Sequence, residues 1–132
     1  MKVLSIEQMN KLKQLGVDTS KASVRVGKME FKHGDPWYGK EEYDVFLFDN
    51  EDNDTQCFVE SYRAFTLQDV IELLPYTFNN NYLIIYRSIS IYYFIYENMN
   101  LEDDILEKGR NPLEAAYNML IWVIENNYLK TK

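Results

Sequence analysis

The chain contains one cysteine, Cys57, and one histidine, His33. A nucleophile–base pair made from them needs the two side chains about 3 Å apart. Cys57 opens a strand-like stretch, where a thiol is ordinarily buried and inert. His33 begins HGDPWYG, residues 33–39, whose two glycines and one proline mark a loop. An enzyme or small-ligand pocket near His33 and Cys57 is therefore an alternative and not the leading reading. One histidine and one cysteine also fall short of a structural zinc set. From Asp49, the residues Asp49, Glu51, Asn53 and Glu60 fall at positions of a calcium loop. Asp54 stands where that loop needs glycine, and strands rather than helices flank it. Phosphate loops of the GxxxxGK[ST] or GxGxxG type and the GxSxG elbow do not occur. Glu102, Asp103, Asp104 and Glu107 read as a solvated charge run. No catalytic residue, metal or cofactor is expected.

Aromatic side chains are better placed for contact than for catalysis. Trp37 and Tyr38 lie in the loop that starts at His33, and such residues anchor interfaces. Ile121 and Trp122 fall at the edge of the polar stripe of the last helix. There they either form a small exposed patch suited to self-association or lie under a covering loop. These four residues are the candidate interaction set.

The net charge of −7 is unevenly spread. Residues 1–40 carry 8 basic and 4 acidic groups, residues 41–107 carry 2 and 15, and residues 108–132 carry 4 and 2. So acidic a middle repels a phosphate backbone, which excludes ordinary nucleic-acid binding. It suits a basic protein partner, whose encounter it would steer. A chain of 132 residues, 46% of them hydrophobic, builds one domain with a real core. It shows neither a leader pattern nor an apolar run near the roughly 20 residues of a membrane span. A soluble, cytoplasmic protein with no membrane partner is expected.

The elements that position these residues carry clear signals. Residues 4–17 read as a short helix with Ser5 and Gln8 as a capping box and Gly16 as its left-handed stop. Residues 22–26 alternate as a half-buried strand, with Gly27 a candidate bulge before Met29 and Phe31. Residues 43–48 and 57–62 are two more strands around the acidic turn DNEDND. Residues 66–74 form a second helix, capped by Thr66 with Asp69 three residues on and ended by Pro75. Residues 82–97 are β-rich and read as a hairpin about Ser88–Ser90, or as one bent strand, with no Gly or Asn to mark a turn. Residues 98–109 are acidic, and their Leu101, Ile105 and Leu106 suit either a short helix or another strand, read here as a loop and a short element.

The last helix, residues 111–129, organises the rest. Asn111 caps it and Pro112 fits its first turn. Glu114, Asn118 and Glu125 fall on one narrow stripe, opposite Ala116, Met119, Leu120 and Val123. An apolar face that wide must be covered on more than one side. Residues 126–132 read as its frayed tail.

Three segments, LSIEQMNKLKQLGVDTSKAS, AFTLQDVIELLP and NPLEAAYNMLIWVIENNYL, together resemble a group of small proteins of gut-bacterial genomes and their phage or mobile elements. That group has no assigned activity, so the resemblance implies a shared fold and no chemistry.

These features define an α+β fold. An antiparallel sheet of four to five strands packs against two helices, with a short N-terminal helix at an edge. The leading functional expectation is a non-enzymatic protein-interaction module, an accessory of a mobile element, with homodimerisation open. An acidic mimic of nucleic acid that blocks a basic DNA-binding protein is the second reading.

Overall fold

The computed structural model describes residues 2–29, 43–47, 58–100 and 102–129. Their order is α1 (Ile6–Gln14), β1 (Val24–Met29), β2 (Tyr43–Leu47), β3 (Phe58–Ala64), α2 (Leu67–Leu73), β4 (Thr77–Phe78), β5 (Asn81–Arg87), β6 (Tyr92–Asn98), β7 (Ile105–Gly109) and α3 (Pro112–Glu125). The α+β class and the short N-terminal helix stand as expected. The strands are divided between two antiparallel sheets, ordered β2-β1-β3 and β4-β5-β6-β7. Helix α2 lies between the last strand of the first sheet, β3, and the first strand of the second, β4.

Each helix is stopped by its own chemistry. In α1, Ser5 accepts from the Gln8 amide (3.2 Å) and Gln8 Oε1 accepts from the Ser5 amide (2.9 Å). At its other end Gly16 has φ 94°, and the amides of Gly16 and Val17 reach Lys13 O (3.1 Å) and Leu12 O (3.0 Å). That is the Schellman stop the glycine predicts. Helix α3 ends in the same way. Asn127, at φ 63°, sends its amide to Ile124 O (3.1 Å), and Tyr128 sends its own to Val123 O (2.9 Å). Residues 126–129 are therefore not a frayed tail. Asparagine tolerates the left-handed conformation, and its presence after Glu125 was the readable signal.

The hairpin of β5 and β6 closes through the Ser88 amide, which donates to Ile91 O at 2.8 Å, with Ile89 and Ser90 at the tip. Neither tip residue has positive φ, so the turn needs no Gly or Asn. A second hairpin was not anticipated. Asn79 (φ 46°) and Asn80 (φ 64°) link β4 to β5 in the pattern of a type I′ turn. Of the two elements that residues 98–109 suit, a short helix or a strand, the structure forms the strand, β7, after a loop. The irregularity in β1 falls between Lys28 and Met29, one residue past the glycine; Gly27 itself sits in a regular ladder.

Strand alternation sorts the second sheet into two faces. Phe94, Tyr96 and Asn98 of β6 are buried, and Leu83, Tyr92 and Ile105 pack against the core on the same side. That face lies under α3, which contacts β6 and β7. Helix α2 packs on α3. Helix α1 lies against β3, an edge strand, and is pinned there by Leu4 N to Phe65 O at 3.0 Å. Buried residues from all three helices and both sheets form one cluster, including Leu12, Val24, Val70, Phe94, Met119 and Val123.

At Gly109 the end of β7 touches the first turn of α3. A Cβ there would lie 2.5 Å from Ala115 N and 2.9 Å from the Glu114 carbonyl carbon. Both are backbone atoms of a helix and cannot yield as a flexible side chain would. Gly109→Ala should destabilise the fold by about 2–3 kcal/mol and lower Tm by roughly 5–15 °C, measured by calorimetry.

Tyr96 is fully buried, and its hydroxyl donates to Pro75 O at 2.8 Å. Burial pushes its ionisation well above the usual tyrosine range. The folded protein thus holds this proton above pH about 10, where the unfolded chain releases it, so stability falls as pH rises from there. Tyr96→Phe should flatten that alkaline loss in denaturant titrations. Near neutral pH the variant should be less stable by about 1–2 kcal/mol, because the Pro75 carbonyl loses its donor.

Candidate interaction surface

The outer face of the four-stranded sheet carries Tyr82, Ile84 and Tyr86 of β5, Tyr93, Ile95 and Glu97 of β6, and Leu106 and Lys108 of β7. The cross-strand pairs Tyr82–Glu97, Ile84–Ile95, Tyr86–Tyr93, Ile95–Leu106 and Tyr93–Lys108 place them side by side. None belongs to the buried cluster or packs against it, and no described element covers them. Tyr86 is 55% exposed and Leu106 49%. The Tyr86 and Tyr93 rings stand 5.9 Å apart. These Tyr and Ile residues are here because β-branched and aromatic side chains favour strands. On this face their second role, ring contact area with a hydroxyl that reaches water, is taken up by no other described element. Burial raises the Tyr82 hydroxyl above its ordinary range, and the charges of Glu97 and Asp104 and a hydrogen bond to Glu97 add to the shift.

One end of this sheet is fixed by amides. The buried Asn98 donates from Nδ2 to Oδ1 of the buried Asn81 (3.0 Å) and accepts from the Asn100 amide (2.7 Å). The Asn98 amide in turn donates to Asp104 (3.3 Å). Asp104 is thereby separated from Glu107, which is half-buried on the helix side with its carboxyl raised by burial. The acidic run of residues 102–107 is thus split between solvent and the helix-covered side.

The other sequence-predicted residues fall in two groups. His33, Trp37, Tyr38 and Cys57 lie outside the described residues, as does the whole acidic turn, residues 49–54. Ile121 and Trp122 are both half-buried and packed against the core. Trp122 stacks on Tyr128 (5.7 Å, 15°) and on Phe78 (6.4 Å, 28°), and Tyr128 stacks on Phe78 (4.2 Å, 23°). Ile121 and Trp122 also line a shallow hollow of about 310 Å³ with Lys11, Glu107, Tyr117 and Glu125. What covers Trp122 is the residue after the Asn127 stop.

Two further hollows lie elsewhere. One of about 590 Å³, apolar, sits where α2 and α3 begin, lined by Lys2, Leu67, Gln68, Pro112 and Leu113. The cap side chains there are already engaged: Thr66 accepts from the Asp69 amide (3.2 Å) and Asn111 from the Glu114 amide (2.9 Å). The other, of about 480 Å³, lies between α1 and β3 and includes Met9, Lys13 and Tyr62. Among the described residues, no group of three or more His, Cys, Asp or Glu side chains is placed to share a metal ion. No described helix is long and apolar enough to cross a membrane. The fold and this face define a small α+β protein with an aromatic sheet surface that no described element covers. Comparison with protein-family models, with curated proteins and with solved structures finds no match.

Asp69 ties α2 to the start of β1. Its carboxylate accepts from the Thr66 amide (2.9 Å), the Ser23 amide (3.0 Å) and the Ser23 hydroxyl. Burial, the largest single influence, pushes its pKa up, but the bonds from Ser23 and Thr66 together outweigh it and leave it below its ordinary 3.8. The stabilisation is therefore present above that value and lost as pH falls through the lower folded one. Asp69→Asn would turn an amide group toward N–H donors. It should cost about 1 kcal/mol near pH 7 and remove this residue's share of the acid-induced loss, measured by urea titration across pH.

Proposed function

We propose that this protein is a non-enzymatic protein-interaction module whose contact surface is the outer face of the β4-β5-β6-β7 sheet. The carrying observation is that tyrosine, isoleucine and leucine side chains from three adjacent strands form one continuous patch that nothing described covers. Tyrosine is enriched in interface cores, where it supplies area at low cost in rotamer entropy. The acidic middle of the chain favours a partner with basic residues around an apolar centre. Glu97 lies on the patch and the exposed Glu102, Asp103 and Asp104 follow in the chain just beyond it. A role as an accessory of a mobile element, in kinship with the small gut-bacterial and phage proteins it resembles, is part of the same proposal.

The test uses the full chain as bait in extract of its own host, beside a Tyr93→Lys/Leu106→Lys double variant. Both substitutions are on the outer face and leave the buried cluster intact. A specific protein should be retained by the wild type, released by rising salt, and lost by the variant with its far-UV spectrum unchanged. Retention of nothing specific, or equal retention by both baits, removes the reading.

A further inference from the structure

We infer that β5 pairs with β5 of a second copy of this chain across a two-fold axis, joining the two four-stranded sheets edge to edge. The inference concerns the sheet edge and stands apart from the outer face just described.

Strand β5 is covered on its outer side only at its beginning. Strand β4 pairs with Asn81 and Tyr82, and the Leu83 amide donates to Tyr76 O at 3.0 Å. The neighbouring lane then ends: Leu74, which this register would set opposite Ile85, gives its amide to Val70 O (3.2 Å) and Ile71 O (3.1 Å) at the end of α2. N–H and C=O groups alternate sides along a strand. Leu83 points outward, so Ile85 and Arg87 do too, while Ile84 and Tyr86 face β6. Among the described residues nothing pairs with the outward groups of Ile85 and Arg87.

Of the usual protections of an edge, only the charge of Arg87, at the very end of the strand, is present here. No proline, glycine or lysine occurs between Asn81 and Arg87, and residues 83–86 are Leu, Ile, Ile and Tyr. Four of the large apolar side chains with high exposure gather along this edge: Ile85 at 49%, Tyr86 at 55%, Tyr76 at 88% and Ile89 at 99%. The opposite edge differs. On β7, Lys108 O accepts from Asn118 Nδ2 of α3 at 2.9 Å, and the strand carries Glu107 and Lys108. With that edge blunted, β5 adding to β7 of another copy would be disfavoured, and open filaments with it. Addition of β5 to itself closes after two chains.

One register fits. Centring the axis on Ile85 sets Arg87 of one copy opposite Leu83 of the other, a place Tyr76 already occupies. Centring it on Arg87 sets two arginines face to face. Centring it on Tyr86 pairs Ile85 with Arg87 in both directions, which gives about four N–H···O=C bonds. It sets the two Tyr86 rings side by side, in line with Tyr93. Beyond Arg87 each chain turns back at Ser88 toward Ile91, so Ile89 leaves the strand before the lane that Tyr76 holds and its tip lies beside Tyr76 of the other copy. Arg87 already leans over the Tyr92 ring at 5.6 Å and leaves the edge clear. The free lane and the free strand are then the same segment, which is why a second copy fits better than an unrelated strand.

The contact is small, so the dimer should be concentration-dependent over roughly 1 µM to 1 mM. Sedimentation equilibrium of the wild-type chain should show monomer passing to dimer and no larger species. Ile85→Pro removes an outward amide that the monomer does not use, a substitution edge strands accept. It should be monomeric throughout with its far-UV spectrum unchanged. Tyr86→Lys, which sets two like charges opposite each other, should also be monomeric. Hydrogen exchange on the wild type provides a readout independent of either variant. The Ile85 and Arg87 amides should gain protection at least tenfold at high concentration, with the amides of β7 unchanged. A wild type that stays monomeric to about 1 mM, a dimer that survives Ile85→Pro, open-ended oligomers, or exchange at Ile85 and Arg87 that ignores concentration would each overturn the inference. None of these results depends on whether the outer face holds a different protein.

Discussion

Helix α3 is apolar over most of its circumference, and a helix of that kind is stable only when wrapped. Leu113, Ala115, Ala116, Met119, Leu120, Val123 and Ile124 are all buried. The four-stranded sheet covers one side, α2 another, and the Phe78–Trp122–Tyr128 stack closes a third. Small residues make the fit close. Gly109 lets β7 run into the first turn of the helix, against Glu114 and the Ala115 amide, with no room for a methyl group. The crossing is therefore set by backbone contact as well as by side-chain burial.

The remaining elements are held by short polar devices at their ends. Capping boxes start α1 and α2, and Schellman turns end α1 and α3. The Asn81–Asn98 amide pair seals one end of the second sheet, and Asp69 links α2 to β1. Among the described residues every buried side-chain polar atom has a partner. A core this apolar tolerates such groups only when they are satisfied, because an unpaired one costs about 1–3 kcal/mol.

The surface divides by the same logic. On the helix side of the second sheet, aromatic residues are consumed by packing, as Phe94 and Tyr96 are. On the outer side the same residue types are left open by the described elements, and among the described residues the outward backbone groups of Ile85 and Arg87 have no partner. Contact area, rather than a cluster of reactive groups, is what the described surface offers.

Much of this was legible in the chain itself. The helix starts at Ser5, Thr66 and Asn111, the stop at Gly16 and the β-rich run 82–97 are local effects, written within four or five residues. Side-chain oxygens meet nearby amides, and only certain residues accept positive φ. Asn79, Asn80 and Asn127 belong to the same class and were readable in principle, although asparagine is a weaker signal than glycine. The tertiary structure decided what depends on distant partners. It divided the strands into two sheets, recruited residues 105–109 as a strand, and covered Trp122 with Tyr128 and Phe78. It also determined which face of each Tyr-rich strand meets α3. Alternation says that two faces exist, but only the packing of remote segments selects the one that is buried.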